Sequence, residues 1–234
     1  MIRKRVTLTG ISRGEVFLTA LDQGEPTVLL KDTQGVIMSE ITISGRIAIQ
    51  GEGAVVSLLN NRIIASEVGI KLIGFEAKES TIRGNKLISS GQGVGILLLG
   101  WGPFLIRDNS ITGLATAMVV GGAVVCDIRS NQISGGWDGL AIGSSSTAII
   151  VGNQIMGNHH DGVVLSGAAA VEISGNEIRE NGGRGVSLWQ RPCYDTPDEF
   201  AGSIVGEGND ISGNAGADLC PPDYPWPEGF VKGP

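Results

Sequence analysis

Aliphatic residues recur along this chain around a set of regularly placed asparagines. Asn61, Asn85, Asn109, Asn131, Asn153, Asn176 and Asn209 are spaced by 24, 24, 22, 22, 23 and 33 residues. Three positions before the first six stand Leu58, Ile82, Ile106, Ile128, Ile150 and Ile173. Two positions after all seven stand Ile63, Leu87, Ile111, Ile133, Ile155, Ile178 and Ile211. Eight to ten positions on comes a Gly-apolar-x-apolar unit, as in Gly69–Leu72, Gly95–Leu98, Gly139–Ile142, Gly162–Leu165 and Gly185–Leu188, with alanine in place of the glycine in Ala117–Val120. Alternation at period two predicts short strands, and no segment carries a helical period. A repeat of this length predicts a solenoid, in which each coil buries its apolar face only against its neighbours. The expected architecture is all-β, about nine coils of 22–24 residues with three short strands each and the asparagine ladder in a turn.

An asparagine in every coil answers to the turn, because an amide both donates and accepts and a stack of amides satisfies itself. A shorter series, Asn158, Asn181 and Asn214, follows five residues after three of the ladder positions. Upstream, Ser39-Glu40-Ile41 reads as a ladder position that has lost its asparagine. Segments 16–21 and 27–30 read as strands of degenerate coils. The chain divides into a solenoid over 1–214 and a tail over 215–234, with degenerate coils over 1–38, regular ones over 39–214 and an insertion at 189–202. The tail is rich in proline and aromatic residues, cannot continue the coil, and is expected to cap the exposed strand edges.

This pattern, over 39–214, resembles the right-handed parallel β-helix repeat proteins of the pectate-lyase-like kind. It is most similar to the repeat group shared by carbohydrate-binding and sugar-hydrolase proteins and NosD. The resemblance implies that a ligand would lie along one sheet and its flanking turns. The signatures of catalytic relatives, N-T-D, Asp-Asp, G-H-G and R-I-K, are missing. Copper handling would call for clustered Met, His and Cys, and the chain has two His and four Met.

Composition narrows the picture further. Glycine is 37 of 234 residues, against a usual share of about 7%, which fits a turn-rich coil. Net charge is −7, which disfavours nucleic acid as a partner. No apolar run is long enough to span a bilayer, and the first ten residues lack the apolar core of a signal peptide. Cys126 falls at an inward position, and no Cys/His spacing supports a metal site. Cys193 and Cys220 lie outside the repeat, and a bond between them would tie down the tail and imply an oxidising, secreted, cell-surface or periplasmic setting.

Chemistry is sought at positions that break the repeat. Asp138, Asp161 and Arg184 precede the Gly-apolar unit in three consecutive coils, with Trp137, His159 and His160 beside them. Two carboxylates one coil apart would form a coupled pair or a Ca²⁺ site, His160 an acid or base, Arg184 a clamp for an acidic sugar, and Trp137 a stacking platform. The competing account is a plain Asp-Gly turn with a neutralising arginine. Arg83, Arg107 and Arg129 form a second column, which would bind an acidic polysaccharide or enter a network with Asp108 and Asp127. The outward residues of the Gly-apolar strands are Lys71, Leu97, Val119, Ala141, Val164 and Ser187. Their apolar members Leu97, Val119, Ala141 and Val164 predict a covered face or a homo-oligomer contact. Three functions follow: an extracytoplasmic module binding carbohydrate or another surface ligand, a polysaccharide lyase, hydrolase or epimerase using Asp138, Asp161, His160 and Arg184, and an assembly module.

Overall fold

The structure is a computed structural model that describes residues 6–10, 16–20, 24–89 and 93–233. Among these residues there is no helix, and every strand pairing is parallel. The strands form three stacks. Sheet 1 precedes the ladder asparagine and includes Val55–Leu59, Ser80–Arg83, Ala123–Arg129, Thr147–Val151 and Ala170–Ser174. Sheet 2 follows it and includes Lys86–Ile88, Ser110–Thr112, Gln132–Ser134, Gln154–Met156, Glu177–Arg179 and Asp210–Ser212. Sheet 3 holds the Gly-apolar units and includes Thr116–Val120, Asp138–Ile142, Val163–Leu165, Val186–Leu188 and Leu219–Cys220. Three long strands, Thr42–Glu52, Arg62–Phe75 and Val94–Arg107, turn a corner and serve two sheets each.

The aliphatic rows run up the inside of the coil in strict register. Ile82, Ile106, Ile128, Ile150 and Ile173 stack on sheet 1, and Ile111, Ile133, Ile155, Ile178 and Ile211 on sheet 2. All are buried, and each Ile-on-Ile contact contributes through the area it removes from water. Cys126 occupies one of these inward positions, and burial pushes its thiol up to about 12. Glycine opens most sheet 3 units because the backbones approach closely there. A Cβ on Gly139 would stand 2.4 Å from the Gly162 carbonyl oxygen.

The ladder is continuous from Asn61 to Asn209. Each Nδ2 donates to the Oδ1 of the next asparagine, at 2.9–3.1 Å. The same Oδ1 accepts the backbone N–H of the preceding ladder residue. Asn158, Asn181 and Asn214 form a second, three-member ladder, with links of 2.9 Å. In the middle of the first ladder, Asn131→Ala takes away the acceptor of the Asn109 N–H and Nδ2 and one of the two donors to Asn153 Oδ1 in the buried turn. We expect a loss of about 3 kcal/mol in urea unfolding, and a loss below about 1 kcal/mol would refute the ladder's role.

Both ends of the ladder are informative. At its upper end Asn209 Nδ2 and N–H donate to the Phe230 carbonyl, at 2.9 and 3.0 Å, so a main-chain oxygen from the tail stands in for the next amide. Phe230 is buried, and Phe200, Tyr224, Trp226 and Phe230 contact one another in series across the end of the coil. At the lower end, the Ile41 N–H donates to Asn61 Oδ1, and Thr42 pairs with Arg62. The residue in the ladder position is therefore Ile41, and Ser39 belongs to sheet 1, paired with Leu59. The expected alignment on Ser39 is corrected by two residues because this coil is shorter than the later ones. Seven turns carry a ladder asparagine, slightly fewer than the roughly nine coils expected in all, degenerate ones included. Below them the stacks continue only as irregular rungs, among them Thr7–Thr9, Phe17–Thr19 and Val28–Lys31. Leu21, Met1 and Pro234 lie outside the described residues.

Candidate functional site

Stacking of successive coils builds the site at the entrance to sheet 3. The turn before each sheet 3 strand hydrogen-bonds to the turn below: the His160 N–H donates to the Trp137 carbonyl at 2.8 Å, and the Gly183 N–H to the His160 carbonyl at 2.7 Å. Trp137 and His160 are thus vertical neighbours, and their rings stack 5.5 Å apart at 13°. The next position must be glycine, since a Cβ on Gly183 would stand 2.3 Å from Asp161 Oδ1.

One position further, Asp138, Asp161 and Arg184 rise in the predicted column, but the carboxylates do not pair with each other. His160 Nδ1 lies 2.8 Å from Asp138 Oδ1 and 3.7 Å from Asp161 Oδ1. Asp138 Oδ1 also accepts the Asp161 N–H at 3.1 Å. Asp161 is fully buried and accepts from the Arg184 N–H at 2.7 Å, Ser187 Oγ at 2.7 Å and Tyr194 OH at 2.5 Å, with Arg184 Nη1 at 3.4 Å. Burial alone would push this carboxyl up, but donation from Tyr194, Ser187 and the Arg184 backbone, with the charge of His160, outweighs it and holds the group below the usual carboxylate range. The Tyr194 phenol is pushed well above its ordinary value by burial and by its bond to Asp161.

Tyr194 lies outside the repeat, and the repeat places Ser187 only as an outward residue of sheet 3 and not as a partner of Asp161. Tyr194 arrives on the insertion, which leaves sheet 3 after Leu188 and folds back over its outer face. The Cys193–Cys220 disulfide, with Cα atoms 5.8 Å apart, fastens it to the last sheet 3 strand. Trp189 packs on Tyr194 with ring centroids 4.2 Å apart, and the Arg184 guanidinium sits 5.3 Å from the Tyr194 ring centroid. The signal in the sequence was Cys193: a bond from it to Cys220 draws its neighbour Tyr194 across the sheet.

The insertion covers one end of the expected apolar face. Val164 is 8% exposed and Ser187 is fully buried, because the insertion covers them. Val164 therefore offers no open contact for another copy of the chain, whereas Leu97, Val119 and Ala141 remain partly exposed. His159 is exposed and takes no part in the cluster. The arginine column is in register on sheet 1 and not at the entrance to sheet 3. Arg83 pairs with Asp108 at 3.1 Å and Arg129 with Asp127 at 2.5 Å, and Arg107 Nε is buried without a hydrogen-bond partner.

The arrangement does not fit Ca²⁺, because the oxygens of Asp161 are already taken by protic and cationic donors. It does not fit copper either. Cys126, Met38 and Met118 are in the core, Cys193 and Cys220 are bonded to each other, and no group of three His, Cys, Asp or Glu is placed to share a metal among the described residues. What remains accessible is an imidazole oriented by Asp138, a guanidinium, and two exposed indoles, Trp137 at 57% and Trp189 at 41%.

In fold the chain is similar to a double mutant of the periplasmic alginate epimerase AlgG, with a TM-score of 0.68 and 14% identity over 96% of this chain and 66% of that one. It is likewise similar to a single mutant of AlgG, with a TM-score of 0.61 and 13% identity over 86% of this chain and 60% of that one. This chain thus spans less than two thirds of the length of those structures. No curated protein matches it in sequence. Among the described residues no helix is long and apolar enough to cross a membrane. The family model described as "Periplasmic copper-binding protein (NosD)" matches residues 46–220, most of the chain and nearly all of its regular coils, and the chain belongs to that family.

Proposed function

We propose that this protein is an extracytoplasmic β-solenoid module that binds carbohydrate at the entrance to sheet 3. The observation that carries this reading is the aromatic-edged polar cluster: Trp137 stacked on His160, Arg184 beside them, and Trp189 exposed on the far side. Indole faces pack against the C–H face of a sugar ring, and His160 and Arg184 supply hydrogen bonds to its hydroxyl or carboxylate oxygens. Membership of a periplasmic family and a disulfide between Cys193 and Cys220 support the location.

The test is a glycan array followed by calorimetry on the ligands retained. Trp137→Ala and Arg184→Ala are expected to weaken binding tenfold or more, about 1.4 kcal/mol, without loss of the folded state. If no glycan is retained, or if both variants bind as the native chain does, the reading is wrong.

A second reading rests on the 2.8 Å contact of His160 Nδ1 with Asp138, which orients the imidazole and leaves it able to exchange a proton through its other nitrogen. On this reading the protein is a polysaccharide lyase, hydrolase or epimerase. Turnover by the native chain that is abolished in His160→Ala and reduced in Asp138→Asn would establish it. Binding without turnover leaves the module reading in place.

A further inference from the structure

Exposure changes abruptly along one row of sheet 3. Lys71, Leu97, Val119, Ala141, Val164 and Ser187 are consecutive partners on its outward face, one per coil. The first four are partly exposed, and the last two are buried. The change falls where the insertion crosses the sheet. Trp189 and Tyr194 pack on each other there, Tyr194 bonds Asp161 and Ser187, and the disulfide from Cys193 closes on Cys220, the next partner in the same row. The face is open in one direction and walled in the other. The accessible polar groups, His160 and Arg184, lie against the wall, with side chains 32% and 25% exposed.

We propose that the site takes the end of a carbohydrate chain and not an internal stretch. This rests on the carbohydrate reading above and adds the geometry of the ligand. Coils are about 4.8 Å apart, so a chain lying along the four open rungs meets the wall within one or two coils of Ala141. Its terminal sugar then lies over Trp137 and His160, and no path continues past Tyr194. The terminal ring has a hydroxyl where an internal ring has its next linkage, and His160 and Arg184 are the groups placed to recognise it.

The experiment compares linear hexasaccharides with their parent polymers at equal mass of sugar, using β-1,4-glucan, α-1,4-glucan and mannuronan. A hexasaccharide carries many more chain ends per unit mass than a long polymer. For whichever sugar binds, end recognition predicts that the hexasaccharide competes at least about tenfold better by mass. Cys193→Ser/Cys220→Ser, and separately Tyr194→Ala, open the wall and should bring the polymer to within about threefold of the hexasaccharide. Melting curves and far-ultraviolet circular dichroism check that each variant is folded, and the native comparison stands by itself if one is not. Equal potency of polymer and hexasaccharide by mass on the native chain overturns the proposal while leaving carbohydrate binding intact. Absence of binding to every sugar overturns the carbohydrate reading and this inference with it.

Discussion

Replacing Asp161 by alanine is expected to lower the unfolding free energy by about 3–5 kcal/mol. The carboxylate is fully buried, and it is the shared acceptor for the Tyr194 and Ser187 hydroxyls and the Arg184 N–H. Its removal leaves these donors and the Arg184 guanidinium without the group that justifies their burial. Asp161→Asn should also be costly, because the amide presents N–H groups to a site made of donors. The pH dependence follows from the sign of the shift. The folded carboxyl is held below its ordinary value, so its contribution is complete above about pH 4 and is lost as pH falls through the lower folded value. The gap in stability between the native chain and Asp161→Asn should therefore be full at neutral pH and close in strong acid. A gap that is small at pH 7, or that widens below pH 4, would show that Asp161 does not organise the insertion.

Cys193→Ser/Cys220→Ser should cost about 3.5 kcal/mol, the chain-entropy value for a loop of this size. The bridge closes a 27-residue separation that includes most of the insertion and the last coil. Its loss also frees the insertion to leave sheet 3, which would expose Val164 and Ser187. A titration reads this directly, because the chain has two tyrosines, Tyr194 and Tyr224. In the native chain Tyr194 titrates well above its ordinary value. Because the folded value is raised, the neutral phenol stabilises the fold fully below about pH 10, and that contribution is lost as pH rises through the folded value. In the double variant one phenol should return toward about 10. If ultraviolet titration shows the same two tyrosines with and without the bridge, the insertion is held by something other than the disulfide.

The bridge and Asp161 are two parts of one device. The disulfide limits where the insertion can go, and Asp161 fixes Tyr194 once it is there. Their effects should fall short of additive in the triple variant, since both singly release the same segment.

Much of the fold could be read from residues that recur. The ladder asparagines and the inward isoleucines repeat because every coil presents the same turn and the same core, so one physical requirement is written seven times. The Asp138–Asp161–Arg184 column and the Trp137–His160 neighbours were likewise legible, because register converts a spacing of one coil into vertical contact. The lower end of the ladder lies two residues beyond the position that the spacing predicts. A coil shorter than the rest still alternates, and only pairing with Arg62 shows that Ile41 occupies the turn.

Sequence alone determined the parallel coil, the ladder, the core and the candidate column, since each follows from local alternation and a fixed repeat. The role of Asp161 followed from tertiary contact: it is a buried anchor for Tyr194 rather than half of a carboxylate pair. The same is true of the covered Val164 and of the wall across sheet 3. The insertion occurs once, has no repeat to align, and reaches the sheet through contacts between residues tens of positions apart. The Phe230 carbonyl that ends the ladder makes the same point. A main-chain oxygen carries no side-chain signature, so its use as the last rung is decided by where the tail packs and not by which residue it is.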